Sequence, residues 1–146
     1  MNSAADKVTP IGRVLYTARV HTTGGRDGGA SVSDDHRLEI RHTIPGKPGV
    51  GTNPEQLFAA GWSACFEGAM GTVARRMNVT LPADTAIDAE VDLMMGESGY
   101  SLQGRLNISM PGIPRDVAQA IANAAERTCP YSKATRGNMK TLITMV

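Results

Sequence analysis

The chain has 146 residues, 41% of them hydrophobic, 20% charged and 4% aromatic, with a formal net charge of +1. That length fits one domain spanning 1–146, and the composition fits an ordinary globular protein. No field of one sign is large enough to draw nucleic acid or an anionic membrane, and so few aromatic rings leave no stacking platform for bases.

The opening MNSAADKVTP has no apolar stretch of the kind a signal peptide needs and reads as a short polar tail. No run approaches the roughly 18 apolar residues of a membrane span, so a cytoplasmic location is expected. Val14, Tyr16, Ala18 and Val20 alternate with mostly polar neighbours and predict a half-buried strand. TTGGRDGG follows, its glycines flanking Arg26 and Asp27, and predicts a hairpin tip or open loop. Leu38 and Ile40, set between Arg37, Glu39 and Arg41, predict another strand, and PGKPGVG a loop.

A long helix is expected from about Asn53 to about Asn78. Thr52 and Glu55 have capping-box spacing, and Pro54 suits a first turn. Twenty-six helical residues would span about 39 Å, enough to cross a domain of this size unless Gly68 or Gly71 breaks the helix. Its small residues, among them Ala59, Ala60, Gly61, Ser63, Ala64, Gly68 and Ala69, let other backbones approach on several sides and suit a buried core helix.

Ile87, Ala89, Val91 and Leu93 then alternate with Asp88, Glu90 and Asp92. After a turn at GESG, Tyr100, Leu102, Leu106, Ile108 and Met110 alternate with Ser101, Gln103, Arg105, Asn107 and Ser109, which gives a hairpin with one wet face. Pro114 opens a second helix whose apolar face is Val117, Ala118, Ile121, Ala122 and Ala125, and Pro130 ends it just after Cys129. MKTLITMV reads as a final strand. Antiparallel strands with one polar face and two helices over the other predict an α+β fold.

The chemistry-bearing residues are few. The two cysteines, Cys65 and Cys129, and the scattered His21, His36 and His42 form no CxxC or HxxxH, so no metal site is expected. Cytosolic thiols are kept reduced, which disfavours a permanent structural disulfide. Cys65 sits among small residues, where a free cysteine packs as a small hydrophobe. Cys129, at a helix end in a polar stretch, is expected near solvent. Two unrelated core thiols or a peroxidatic and resolving pair both remain open. A reactive Cys65 would need a cation from elsewhere, because three turns into its helix it lies too far from the positive helix end. Arg26 could supply that charge and Glu55 could hold its planar fork. From spacing alone the plainer alternatives prevail: Glu55 completes a cap, and Arg26 is a solvated loop residue.

Three stretches change that balance. TGGRDG (Thr23 to Gly28), GTNPEQLFAAGWSACF (Gly51 to Phe66) and CPYSKATRGN (Cys129 to Asn138) together resemble the organic hydroperoxide resistance (Ohr) branch of the Ohr/OsmC family. The likeness runs from about Leu15 to the C-terminus, and its two cysteine motifs are long and specific. It implies a peroxidatic thiol at Cys65, a resolving thiol at Cys129, a catalytic arginine at Arg26 and a partner glutamate at Glu55. It further implies a thiol-dependent peroxidase for organic hydroperoxides, which passes through a Cys65 sulfenic acid and a Cys65–Cys129 disulfide. No metal or flavin is implied. Recycling would come from dithiols, especially protein-bound lipoyl groups, and the fold would be an interwoven homodimer with sheets wrapped around central helices. Two positions depart from the family pattern. Trp62 stands where tyrosine is usual, which bears on substrate size, and Glu126 stands three residues before Cys129, where histidine is common. An OsmC-like peroxidase with less preference for organic over hydrogen peroxide is a second reading. A non-enzymatic module binding hydrophobic ligands is a third, and it would keep both thiols after peroxide treatment.

Overall fold

A computed structural model describes residues 12–146, and the expected polar tail lies outside them. The chain forms two compact units, one ending at Gly51 and one beginning at Thr52.

In the first unit three short strands, β1 (Val20–Thr23), β2 (Ala30–Ser33) and β3 (Glu39–Arg41), make an antiparallel sheet in that order. The strand expected from Val14 begins only at Val20. Val14, Leu15 and Tyr16 are about 80% exposed. Alternation supplies a strand with a face but not with a neighbour. Among the described residues the β1–β2 ladder ends at Val20 opposite Ser33, followed by one bond from the Asp34 N–H to the Arg19 carbonyl. The glycine-rich stretch is the β1–β2 connection, as expected. Gly24, Gly25 and Gly28 have positive φ, the left-handed region that favours glycine. The backbone of His42 braces this loop, accepting from the Gly28 N–H and donating to the Gly29 carbonyl. The buried His42 ring bonds Ser31 through Nε2 at 2.7 Å, and Ser31 bonds Thr22 at 2.7 Å.

The second unit opens on helix α1 (Pro54–Arg76), which runs unbroken through Gly68 and Gly71 for about 35 Å. Its cap is one residue later than expected. Asn53 is the N-cap and its side chain accepts from the Gln56 N–H at 2.9 Å, while Thr52 donates to the Gln56 side chain at 2.7 Å. Asn is preferred over Thr as a capping side chain and takes the cap. At the other end Asn78 adopts φ 57°, the Asn78 N–H bonds the Arg75 carbonyl, and the Val79 N–H bonds the Ala74 carbonyl. These bonds satisfy carbonyls the helix leaves open.

Strands β4 (Ala86–Gly96) and β5 (Gly99–Ser109) form the expected hairpin, with Ile87 opposite Ile108, Ala89 opposite Leu106 and Leu93 opposite Leu102. On the wet face the Arg105 fork holds Asp92 at 2.8 and 2.9 Å, and with Gln103 lowers the Asp92 carboxyl to a pKa of about 2. Helix α2 (Arg115–Thr128) packs on α1, followed directly by a short helix α3 (Pro130–Thr135) that the sequence reading lacks. Strand β6 (Lys140–Met145) then pairs with β5 in parallel. The expectation of purely antiparallel sheets is therefore corrected. The two helices carry the chain back to the end at which β5 began, so the next strand runs the same way.

The core is built by Trp62, Phe66, Met70 and Val73 of α1, Leu106 and Ile108 of β5, and Ile121, Ala122 and Ala125 of α2. Each large side chain buried here contributes roughly 1.5–3 kcal/mol. Helix α1 is buried along this face only; Ala60, Ala64 and Gly68 are exposed on another. The fold is thus α+β, as the patterning predicts, and its strands form two three-stranded sheets.

Candidate active site

Helix α1 presents Cys65 on its border between core and solvent, half-buried. Cys129 joins α2 to α3. Its N–H closes the last turn of α2 on the Ala125 carbonyl, and its own carbonyl accepts from the Lys133 N–H in α3. The reason is local. A residue before proline is pushed out of the helical region, and Cys129 takes φ −62°, ψ 121°. Pro130 lacks the N–H that would continue α2 but suits the first position of a new helix.

This junction puts the two sulfurs 3.2 Å apart, although 64 residues separate them in sequence. Their environments reverse the expectation. Cys129 is fully buried, and Cys65 is the one with a path to solvent. The apolar stripe of α2, Ala118, Ile121, Ala122 and Ala125, continues one turn further to Cys129 and carries it into the core. That spacing of four from Ala125 was the available signal; the polar residues after Cys129 concealed it.

Burial pushes the Cys65 thiol above its ordinary pKa. The backbone N–H of Tyr131, in the first turn of α3, pulls the other way, and the neighbouring Cys129 adds to the rise. Burial comes first among these effects, so Cys65 is held toward the thiol rather than the thiolate.

Three aromatic rings from α1 and α3 pack together. Phe58 meets Tyr131 edge-on at 5.8 Å and Trp62 at 6.2 Å. Tyr131 lies across Gly61, where an added Cβ would stand 2.5 Å from its hydroxyl. Trp62 points inward, only 1% exposed, with its Nε1–H donating to Ser132 at 3.4 Å. Its ring covers Gly104, where a Cβ would come within 2.6 Å. Trp62 therefore fills core space and anchors α3. Phe66 is likewise buried. Phe58, by contrast, is half-buried and also lines an open cavity of about 280 Å³ with Tyr100, Leu102 and Met139. Glu126 turns its carbonyl to Arg136 at 2.8 Å.

Of the other sequence-predicted site residues, Glu55 is half-buried in the first turn of α1, in the unit that holds both cysteines. Arg26 is half-buried in the glycine-rich loop of the first unit. Tyr131 and Ser132 were not singled out in the sequence, although both lie within the CPYSKATRGN stretch, and Gly61 was read only as one of the small residues of α1. Among the described residues no three His, Cys, Asp or Glu side chains gather to hold a metal, and no helix is long and apolar enough to cross a membrane.

A family profile described as OsmC-like protein matches residues 45–144. The organic hydroperoxide resistance protein of Xanthomonas axonopodis pv. citri is 43% identical over 136 residues, covering 91% of this chain and 96% of that one. The crystal structure of the organic hydroperoxide resistance protein OhrB of Bacillus subtilis superposes with a TM-score of 0.86 at 41% identity, covering 91% of this chain and all of that one. An organic hydroperoxide resistance protein from Legionella pneumophila superposes at 0.85 with 36% identity, covering 91% of this chain and 98% of that one.

Proposed function

The chain belongs to the OsmC-like protein family, in its organic hydroperoxide resistance branch, and from that premise we propose that it is a cysteine-based peroxidase that reduces organic hydroperoxides to alcohols. The observation that carries the reading is the pair of sulfurs 3.2 Å apart, of which only Cys65 has a path to solvent. A nucleophile must be reached by substrate, and a resolving thiol need only be reached by the nucleophile.

In this reading the Cys65 thiolate attacks the distal peroxide oxygen, alcohol leaves, and Cys65 becomes a sulfenic acid. Cys129 attacks that sulfur, its proton leaves with the hydroxyl as water, and a disulfide closes. Arg26 supplies a positive charge to the Cys65 thiolate, and it stabilises the developing charge on the peroxide. Glu55 stands ten residues before Cys65, about 15 Å along the helix axis, so it acts through Arg26 rather than on the sulfur. Both units then work as one peroxidase domain, in an oxidative stress response. Dithiols such as protein-bound lipoyl groups reopen the disulfide. No bound metal or organic cofactor enters this scheme.

The homodimer belongs to the same proposal. The exposed Val14, Leu15 and Tyr16, and the uncovered Ala60, Ala64 and Gly68 of α1, are surfaces a second copy would bury. Light scattering should give twice the chain mass; a monomer at micromolar concentration would remove the dimer from the proposal.

Substrate preference tests the reading directly. Phe58, Leu102 and Met139 offer apolar surface near α3, and each methylene that a peroxide tail buries is worth about 0.8 kcal/mol. With dihydrolipoamide as reductant, kcat/KM for cumene or fatty-acid hydroperoxide should exceed that for hydrogen peroxide by at least about tenfold, the equivalent of two buried methylenes. Equal values would favour a peroxidase without preference for organic substrates. Two intact thiols after exposure to each of the three peroxides in turn would leave only a binding module.

A further inference from the structure

We propose that Tyr131 is a positioning residue for disulfide closure, a latch that holds α3 on α1 and so keeps Cys129 against Cys65. The inference rests on the peroxidase reading above and concerns its second step.

The geometry is specific to one face of one helix. Phe58, Gly61 and Cys65 are spaced three and four residues apart on α1, so they rise along a single stripe. Tyr131 meets the first two members: its ring sits edge-on to Phe58 at 5.8 Å, and its hydroxyl occupies the space where any side chain at position 61 would stand. Cys129 meets the third, at 3.2 Å. Tyr131 is two residues from Cys129 in the α2–α3 junction, so the ring and the sulfur are registered on α1 together. Only the absence of a side chain at Gly61 lets the ring lie that low. Tyr131 is 39% exposed, more than a core-forming residue of this size would be, while Trp62 and Ser132 supply the buried contact between the same two helices.

The consequence is kinetic. A Cys65 sulfenic acid has two fates. It condenses with the Cys129 thiol, forming the S–S bond at about 2.05 Å and releasing water. Alternatively it takes a second oxygen from another hydroperoxide, releasing alcohol and leaving a sulfinic acid that common dithiols do not reduce. The first fate is intramolecular and depends on how firmly the sulfurs are held together. The second depends on peroxide concentration. A loosened latch therefore shifts the partition toward sulfinic acid, whatever the rate at which the sulfenic acid forms.

The test is intact-mass analysis after titration with one to ten equivalents of cumene hydroperoxide in the absence of reductant. Wild type should lose two hydrogens across the range. Tyr131→Ala should show a several-fold larger fraction gaining two oxygens at each excess of peroxide. Tyr131→Phe keeps the ring against Phe58 and should match wild type. Gly61→Ala, which drives a methyl group into the ring, should resemble Tyr131→Ala, and the double variant should be no worse than Tyr131→Ala alone. If wild type closes its disulfide while Tyr131→Ala partitions as wild type does, Tyr131 is not a latch, whether or not Gly61→Ala folds. If wild type forms neither disulfide nor sulfinic acid, it is the peroxidase reading that fails.

Discussion

Cys65→Ser should not reduce a single equivalent of organic hydroperoxide, whereas Cys129→Ser should reduce about one per subunit and then stop. The asymmetry follows from exposure as much as from sequence motif. Cys65 is half-buried and reachable, and Cys129 is sealed in the core, 3.2 Å behind it. A serine hydroxyl at position 65 is a far weaker nucleophile than a thiolate, so the chemical step is lost with the fold intact. At position 129 serine is nearly isosteric but cannot form the disulfide. The sulfenic acid then persists, and excess peroxide converts it to sulfinic acid. Mass spectrometry distinguishes the species: wild type loses two hydrogens, and Cys129→Ser gains one oxygen, then two. Oxygen added to Cys129 in the Cys65→Ser protein would exchange the two roles. Identical behaviour of both variants and wild type would end the peroxidase proposal.

Replacing Arg26 by alanine should slow sulfenic acid formation by about 10²–10³-fold at neutral pH, the range seen when a preorganised charge-stabilising group is removed. The surroundings of Cys65 give the reason. Burial comes first among their effects and favours the neutral thiol, and the Tyr131 N–H opposes it only in part. Because the thiolate is the reacting form, the rate climbs as pH rises through the Cys65 pKa. Loss of a nearby cation raises that pKa further, so the whole profile moves to higher pH and the deficit narrows in alkali. Arg26→Lys should recover part of the rate, since lysine keeps the charge without the planar fork. Glu55→Ala should cost less than Arg26→Ala, as only the orienting group is lost. Stopped-flow measurement against pH would check all four proteins. An Arg26→Ala profile superimposable on wild type would return Arg26 to an ordinary loop residue.

The hairpin of β4 and β5 was legible because the alternation from Ile87 to Leu93 and from Leu106 to Met110 leaves one register that sets Ile87 and Ala89 opposite Ile108 and Leu106 on the core side. Helix α1 was legible for a similar reason: a capping signal within one residue of the true cap, a proline in the first turn and a long run of helix-tolerant residues agree with one another. Local chemistry settled these elements before any tertiary contact was needed. The direction of β6 was not local. It depends on where α2 and α3 return the chain, and α3 exists because Pro130, which ends one helix, also starts another. The strand expected from Val14 failed on the same ground, since periodicity names a face and cannot supply a neighbouring edge.

At the site, the motifs alone determined which residues to examine: Cys65, Cys129, Arg26 and Glu55 all stand in stretches resembling one family. The sequence could not tell which sulfur is exposed. A polar stretch after Cys129 suggested solvent, but burial is decided by which face of α2 meets the core, and the stripe through Ile121 and Ala125 carries Cys129 inward. Nor could it pair Tyr131 with Gly61. Their contact exists only because two helices 70 residues apart pack closely enough for a ring to occupy the space left by a missing side chain. Periodicity and capping act within a few residues and are written in the chain; packing acts across it, and only the tertiary structure brings the sulfurs to 3.2 Å.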